Sequence, residues 1–194
     1  MPQGRLVVVS GPSGAGKTSV MRRVYKTCRA PLVRSVSATT RPPREGEIDG
    51  VDYHFLSADE FRSRRQGGDF IECFEVFDQG HWYGTLKSEV STGLTAGKWV
   101  VLEIDVQGAL AVVQQFADAV TIFLRPSSRE ELERRLRGRG TETEEAIGRR
   151  LARADHELAL AGRYQHQVIN DDMDQAVRDI CTILTSEWEK NRHD

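Results

Sequence analysis

Residues 11–18, Gly11-Pro12-Ser13-Gly14-Ala15-Gly16-Lys17-Thr18, fit the pattern GxxxxGK[ST] at every position, and no other stretch restricts the fold as tightly. The run before it, RLVVVS, is rich in β-branched residues and predicts a buried strand over 5–10. The run after it predicts a helix over 18–28, with Val20, Val24 and Cys28 on one face. In the order strand, glycine loop, helix, the backbone N–H groups curl inward and the helix amino end adds partial positive charge, which makes an anion cradle. All eight residues are therefore candidates to hold the phosphates of a nucleoside triphosphate. Lys17 would bridge the β and γ phosphates, and the Thr18 hydroxyl would ligate Mg²⁺. The competing reading is a glycine-rich turn with a surface lysine, which the flanking strand and helix disfavour.

Apolar periodicity extends the pattern. Strands are predicted over 99–104, 120–124 and 167–169, and helices over 86–96, 109–116, 128–137, 141–161 and the C-terminal stretch, where Met173, Val177, Ile180 and Leu184 share helical spacing. Ser127 or Ser128 is placed to cap the helix that Gly138 ends. Strands alternating with helices predict an α/β fold with a parallel sheet. Between residues 33 and 84 the texture changes to Thr, Pro, Gly and scattered aromatics, with turn signals at 41–46 and Asp49-Gly50, which predicts an inserted β-rich lobe.

Length and charge narrow the partners. The 194 residues suit one core with one inserted lobe, and a net charge of −2 argues against a general nucleic-acid coat, so any partner phosphate must meet local Arg and Lys clusters. The aliphatic runs at 6–9 and 100–102 are far shorter than the roughly 20 residues that cross a bilayer, and no signal peptide is visible. Cys28, Cys73 and Cys181 have no CxxC spacing, so reduced thiols and a cytoplasmic location are expected.

Two further clusters carry chemistry. In VVLEID, period two puts Glu103 and Asp105 on one face at the end of a core strand, where ligands of open α/β sheets gather. An ordinary strand end is the equal alternative. In the lobe, Arg41 and Arg44 lie three residues apart among hydroxyls and ahead of Tyr53, a set suited to a dianionic phosphate, although composition alone favours a solvated loop.

The segment SVSATTRPPREGEIDGVDYHF, residues 35–55, closely resembles the nucleotide-monophosphate signature of the guanylate kinase family. Agreement continues at Phe70-Ile71-Glu72, at Trp82-Tyr83-Gly84-Thr85, at Leu102-Glu103-Ile104-Asp105, across 135–150 and at 168–172. The resemblance implies one domain with a P-loop kinase core at about 1–32 and 86–194, a GMP-binding lobe at about 33–85 and a helical lid at about 126–150. It implies transfer of the γ-phosphoryl group of MgATP to GMP, with dGMP as a further candidate acceptor. Position by position, Arg41, Arg44, Tyr53 and Tyr83 would hold the GMP phosphate. Ser37, Glu72 and Thr85 would read guanine, and Glu103 and Asp105 would lie in the acceptor site, Asp105 also near the metal. Arg135, Arg139 and Arg150 would reach the transferring group beside Lys17, and Asn170 would lie near the nucleotide.

Other readings fit some of the same residues. Arg135 and its neighbours also fit ordinary i,i+4 pairing with acids such as Glu131. The five histidines form no HExxH set, there is no GxSxG elbow, and there is no NKxD-type motif of a nucleotide switch. A non-catalytic protein-binding module of guanylate-kinase type would not need Gly16, Lys17 and Thr18. A P-loop kinase of a sugar phosphate would not need Glu72, Tyr83 and Thr85 together.

Overall fold

The computed structural model describes residues 4–75, 80–138 and 143–191. Strand β1 (Arg5–Ser10) lies at the centre of a five-stranded parallel sheet, and helix α1 (Lys17–Thr27) follows it through the glycine loop. The chain then lays β2 (Leu32–Arg34) at one edge of that sheet. It leaves for a second sheet built from β3 (Ala38–Thr39), β4 (His54–Phe55), β5 (Phe70–Glu75) and β6 (Trp82–Leu86), ordered β4-β3-β6-β5, with α2 (Ala58–Gln66) packed beside it. On its return it adds α3 (Lys87–Thr95), β7 (Trp99–Glu103), α4 (Val106–Gln115) and β8 (Val120–Arg125). Helices α5 (Arg129–Arg137) and α6 (Glu144–Ala159), strand β9 (His166–Ile169) and α7 (Met173–Lys190) complete it. The main sheet runs β2-β7-β1-β8-β9, every pair parallel.

Period two along β1 splits the core into two layers. Val7 and Val9 pack with Val20, Met21 and Val24 of α1 and with Ala176, Val177, Ile180 and Leu184 of α7. Leu6 and Val8 pack on the other face with Val90 of α3 and Val106, Ala109 and Val112 of α4. A sheet covered by helices on both faces needs continuous apolar strands, which is why LVVV and WVVL carry no alternation. No described helix is long and apolar enough to cross a membrane.

Three local details add to the pattern. Leu32–Arg34 pairs with β7 in the main sheet, so the second sheet begins after residue 33, where the composition changes. The β-rich lobe also carries a helix, since α2 starts after Ser57, whose side chain accepts from the Glu60 N–H. Ser57-Ala58-Asp59-Glu60 is the S-x-x-E spacing of a capping box, a readable signal within a polar stretch of little periodicity. Met173 is 39% exposed because it occupies the first turn of α7, and Ala176 takes the buried position.

Candidate active site

The parallel sheet sets the site. Gly11 follows β1, Ser35 follows β2, Asp105 lies just beyond β7 and Asn170 just beyond β9, so all four gather past the carboxyl ends of the strands. The loop leaves no room for side chains at its glycines. A Cβ on Gly11 would lie 2.0 Å from the Leu124 carbonyl oxygen, and Gly16 has φ 88° with Asn170 Nδ2 2.5 Å from its would-be Cβ. Asn170 is buried and donates from Nδ2 to the Ala15 carbonyl at 2.7 Å. Lys17 Nζ donates to the carbonyls of Gly11 at 2.6 Å and Pro12 at 3.2 Å. Burial lowers the Lys17 pKa, against the nearby charges of Glu157, Asp105 and Glu103, which raise it. Thr18 is exposed in the first turn of α1.

The two acids expected side by side are not equivalent. Strand β7 ends at Glu103, whose Oε1 accepts from Tyr25 Oη at 3.0 Å and lies 3.6 Å from Arg34 Nε. Asp105 caps α4 by accepting from the Gly108 N–H at 2.8 Å, and its other oxygen meets Arg153 Nη2 at 3.4 Å. They differ in partners because the strand ends at Glu103 and Asp105 is taken up as a helix cap.

Arg153 and Glu157 escaped the sequence reading. Arg153 Nε donates to Glu157 Oε1 at 3.0 Å, and burial raises the Glu157 pKa against the pull of Arg153 and Lys17. The spacing of Arg150, Arg153 and Glu157 puts them on one stripe of α6. That stripe is legible in retrospect, but its direction toward the loop depends on tertiary packing.

In the lobe, a register shift between Phe70 and Glu72 brings Glu72 opposite Thr85 on the neighbouring strand. Such a bulge re-aims a side chain. Thr85 Oγ1 donates to Glu72 Oε1 at 2.6 Å, and burial pushes the Glu72 pKa up to about 7 despite that bond, with Asp105 adding to the rise. Gly108 is packed against the same carboxylate, since a Cβ there would lie 3.0 Å from Glu72 Oε2. Ser37 is half-buried at the start of the lobe, and its carbonyl accepts from the His54 N–H at 2.9 Å.

The phosphate-binding candidates also converge. Arg41 Nε donates to Tyr83 Oη at 3.2 Å, and its guanidinium lies 5.5 Å from the Tyr53 ring centre. The rings of Tyr53 and Tyr83 meet edge to face at 5.8 Å. Arg44 is exposed three residues on.

Helices α5 and α6 share a small apolar cluster of Leu132, Leu136, Ile147, Leu151 and Ala154. Leu132 and Leu136 approach Gly14 so closely that a Cβ there would meet them at 3.1 and 3.0 Å. Arg150 Nη2 donates to Ser13 Oγ of the loop at 2.5 Å. Arg135 donates to Glu131 Oε1 at 2.6 Å and to the Asn170 carbonyl at 2.5 Å. Both the i,i+4 pair and a position beside the loop therefore hold for Arg135. Arg139 lies outside the described residues.

Comparison with known proteins agrees with this geometry. The guanylate kinase family model matches residues 3–187. A guanylate kinase of Rhodopirellula baltica is 58% identical over 182 residues, covering 93% of this chain and 87% of that protein. One from Gloeobacter violaceus is 52% identical over 189 residues, covering 96% and 89%. The crystal structure of guanylate kinase from Anaplasma phagocytophilum superposes with a TM-score of 0.78 at 30% identity, covering 97% of this chain and 88% of that one. With a phosphate loop, a buried glutamate held by Thr85 and an arginine–tyrosine cluster in the second sheet, the chain belongs to the guanylate kinase family, the ATP:GMP phosphotransferases.

Proposed function

We propose that this chain transfers the γ-phosphoryl group of MgATP to GMP through the residues described above. The observation that carries this reading is the position of Gly108, whose N–H donates to Asp105 at the end of the main sheet and whose Cα packs against the Glu72 carboxylate of the lobe. This contact supports placing the acceptor site next to the donor loop.

Loop residues 11–18 cradle the triphosphate through backbone N–H groups, and Lys17 exchanges its contacts with the loop carbonyls for β and γ oxygens. In the acceptor site Glu72, held by Thr85, accepts hydrogen bonds from guanine N1 and N2, with Ser37 beside the base. Adenine offers a lone pair at N1 and is repelled. Arg41, Arg44, Tyr53 and Tyr83 hold the acceptor phosphate, and dGMP is read by the same base contacts. Glu103, tied to Tyr25 and Arg34, shapes the cleft from behind rather than reading the base.

A phosphate monoester loses its second proton near pH 6, roughly, so the attacking oxygen is already anionic and needs no strong base. What opposes reaction is the approach of two polyanions, and Lys17, Arg135 and Arg150 lower that barrier by placing positive charge along the line of transfer. Arg139 joins them in this reading, from outside the described residues. Thr18 and Asp105 offer hard oxygen donors of the kind Mg²⁺ prefers, and no described group of three or more His, Cys, Asp or Glu forms a dedicated cage. That donor set fits an ion carried on the triphosphate, where it neutralises phosphate charge. Closing residues 33–85 and the lid at 126–150 over the two substrates excludes water that would otherwise hydrolyse ATP. A cytoplasmic setting is part of this reading, in keeping with the free thiols of Cys28, Cys73 and Cys181.

The test is ADP formation from MgATP with GMP, AMP, CMP, UMP or no acceptor. Selective stimulation by GMP is expected. Equal rates with all acceptors, or full activity with none, would overturn the assignment.

A further inference from the structure

The turn that follows Arg41 carries a charged side chain with no role so far. Both Glu47 oxygens accept from Arg41 Nη2, at 2.8 and 2.9 Å, and Oε2 also accepts from the Arg44 N–H at 2.7 Å. The Glu47 N–H donates to the Arg44 carbonyl at 3.1 Å, which closes the turn. The other nitrogens of Arg41 are engaged as well: Nε donates to Tyr83 Oη at 3.2 Å and Nη1 to the Pro42 carbonyl at 2.6 Å. The guanidinium also lies 5.5 and 5.7 Å from the ring centres of Tyr53 and Phe55.

We propose that Glu47 is a positioning residue for the acceptor phosphate, one carboxylate that sets both the guanidinium plane of Arg41 and the backbone at Arg44. This deepens the guanylate kinase reading above and rests on it. A guanidinium carries five N–H groups, and Nη1 has two of them, of which the Pro42 carbonyl takes one, so a donor stays available to a phosphate oxygen. Fixing a long side chain in one rotamer beforehand removes its ordering cost from the binding step. The charge balance also remains attractive, because two guanidinium charges less one carboxylate leave a net positive charge for a dianion. Burial works against the Glu47 charge, yet the Arg44 N–H and the Arg41 guanidinium hold its carboxyl below the usual range, so it stays ionised at neutral pH.

The opposite role is also definable. A carboxylate that merely fills the phosphate position would compete with GMP, and its removal would tighten binding. Initial-rate kinetics of Glu47→Ala and Glu47→Gln separate the two, with guanosine as a competitive probe that lacks the phosphate. The expected result for Glu47→Ala is a KM for GMP raised about 10- to 100-fold, the range set by loss of a charge-assisted pair. The KM for ATP and the inhibition constant of guanosine should stay within about twofold, since neither ligand uses Arg41. Glu47→Gln should fall between, because the amide keeps an acceptor oxygen but loses the charge. A KM for GMP that is unchanged or lower in Glu47→Ala overturns the inference. So does a parallel worsening of all three constants, which marks a general structural role. If the unsubstituted chain shows no GMP-stimulated ADP formation, the guanylate kinase reading itself fails, and that result is distinct from an active enzyme indifferent to Glu47.

Discussion

Asn170, at the end of the last parallel strand, holds the phosphate loop through a buried hydrogen bond from Nδ2 to the Ala15 carbonyl at 2.7 Å. The same Nδ2 fills the space that a side chain on Gly16 would need. Asn170→Ala strands a buried carbonyl and opens a gap under the loop, which costs about 1–3 kcal/mol. Thermal unfolding should show a Tm lower by several degrees, and kinetics a KM for ATP raised several-fold with a smaller change for GMP. Equal changes in both constants would mean that Asn170 supports the whole cleft and not the loop.

Gly108 sits where α4 meets the lobe. A Cβ there would lie 3.0 Å from Glu72 Oε2 and 3.2 Å from Cδ, and Thr85 leaves that carboxylate little freedom to retreat. Gly108→Ala should therefore displace the base-reading acid while the donor loop is untouched. The expected readout is a KM for GMP raised about 3- to 10-fold, in line with the penalty for a strained or misaligned hydrogen bond, and an unchanged KM for ATP.

The Glu72 carboxyl, raised by burial to about 7, gives a pH signature. Only the ionised form accepts from both guanine donors, so binding should strengthen as pH rises through that value. Guanosine avoids the titration of the GMP phosphate, and its affinity should improve about tenfold from pH 6 to pH 8 if one group near 7 controls it. The stability effect runs the other way. Between the ordinary carboxylate value and about 7 the folded chain holds a proton that the unfolded chain has lost, so this group's contribution to stability falls as pH rises across that window. Glu72→Gln should flatten both profiles, as followed by guanosine binding and by thermal unfolding at each pH.

Much of the fold was legible because the main sheet is buried on both faces and its strands are short apolar runs closed by loops. The strand predicted over 5–10 is β1 itself, and Ser128 is the cap of α5. The lobe was less legible, since α2 has one buried residue, Phe61, and so almost no apolar period to read. The site divided in the same way. Residues 11–18 announce themselves by a local pattern, because a phosphate cradle is made by contiguous backbone. Glu72, Arg153 and Glu157 do not, because their roles come from a bulge, a helix stripe and the packing of α6 against the loop. Glu103 and Asp105 look alike in sequence and take different partners because the strand ends between them.

Whether Glu72 makes the lobe a guanine site facing the donor loop is decided by kcat/KM for GMP and for AMP in the unsubstituted chain and in Glu72→Gln. The unsubstituted chain should strongly prefer GMP. The variant should lose about 100-fold in kcat/KM for GMP, the upper end for a charge-assisted pair, with the KM for ATP within about twofold. A Glu72→Gln enzyme that keeps its full preference for GMP over AMP would contradict that role for Glu72.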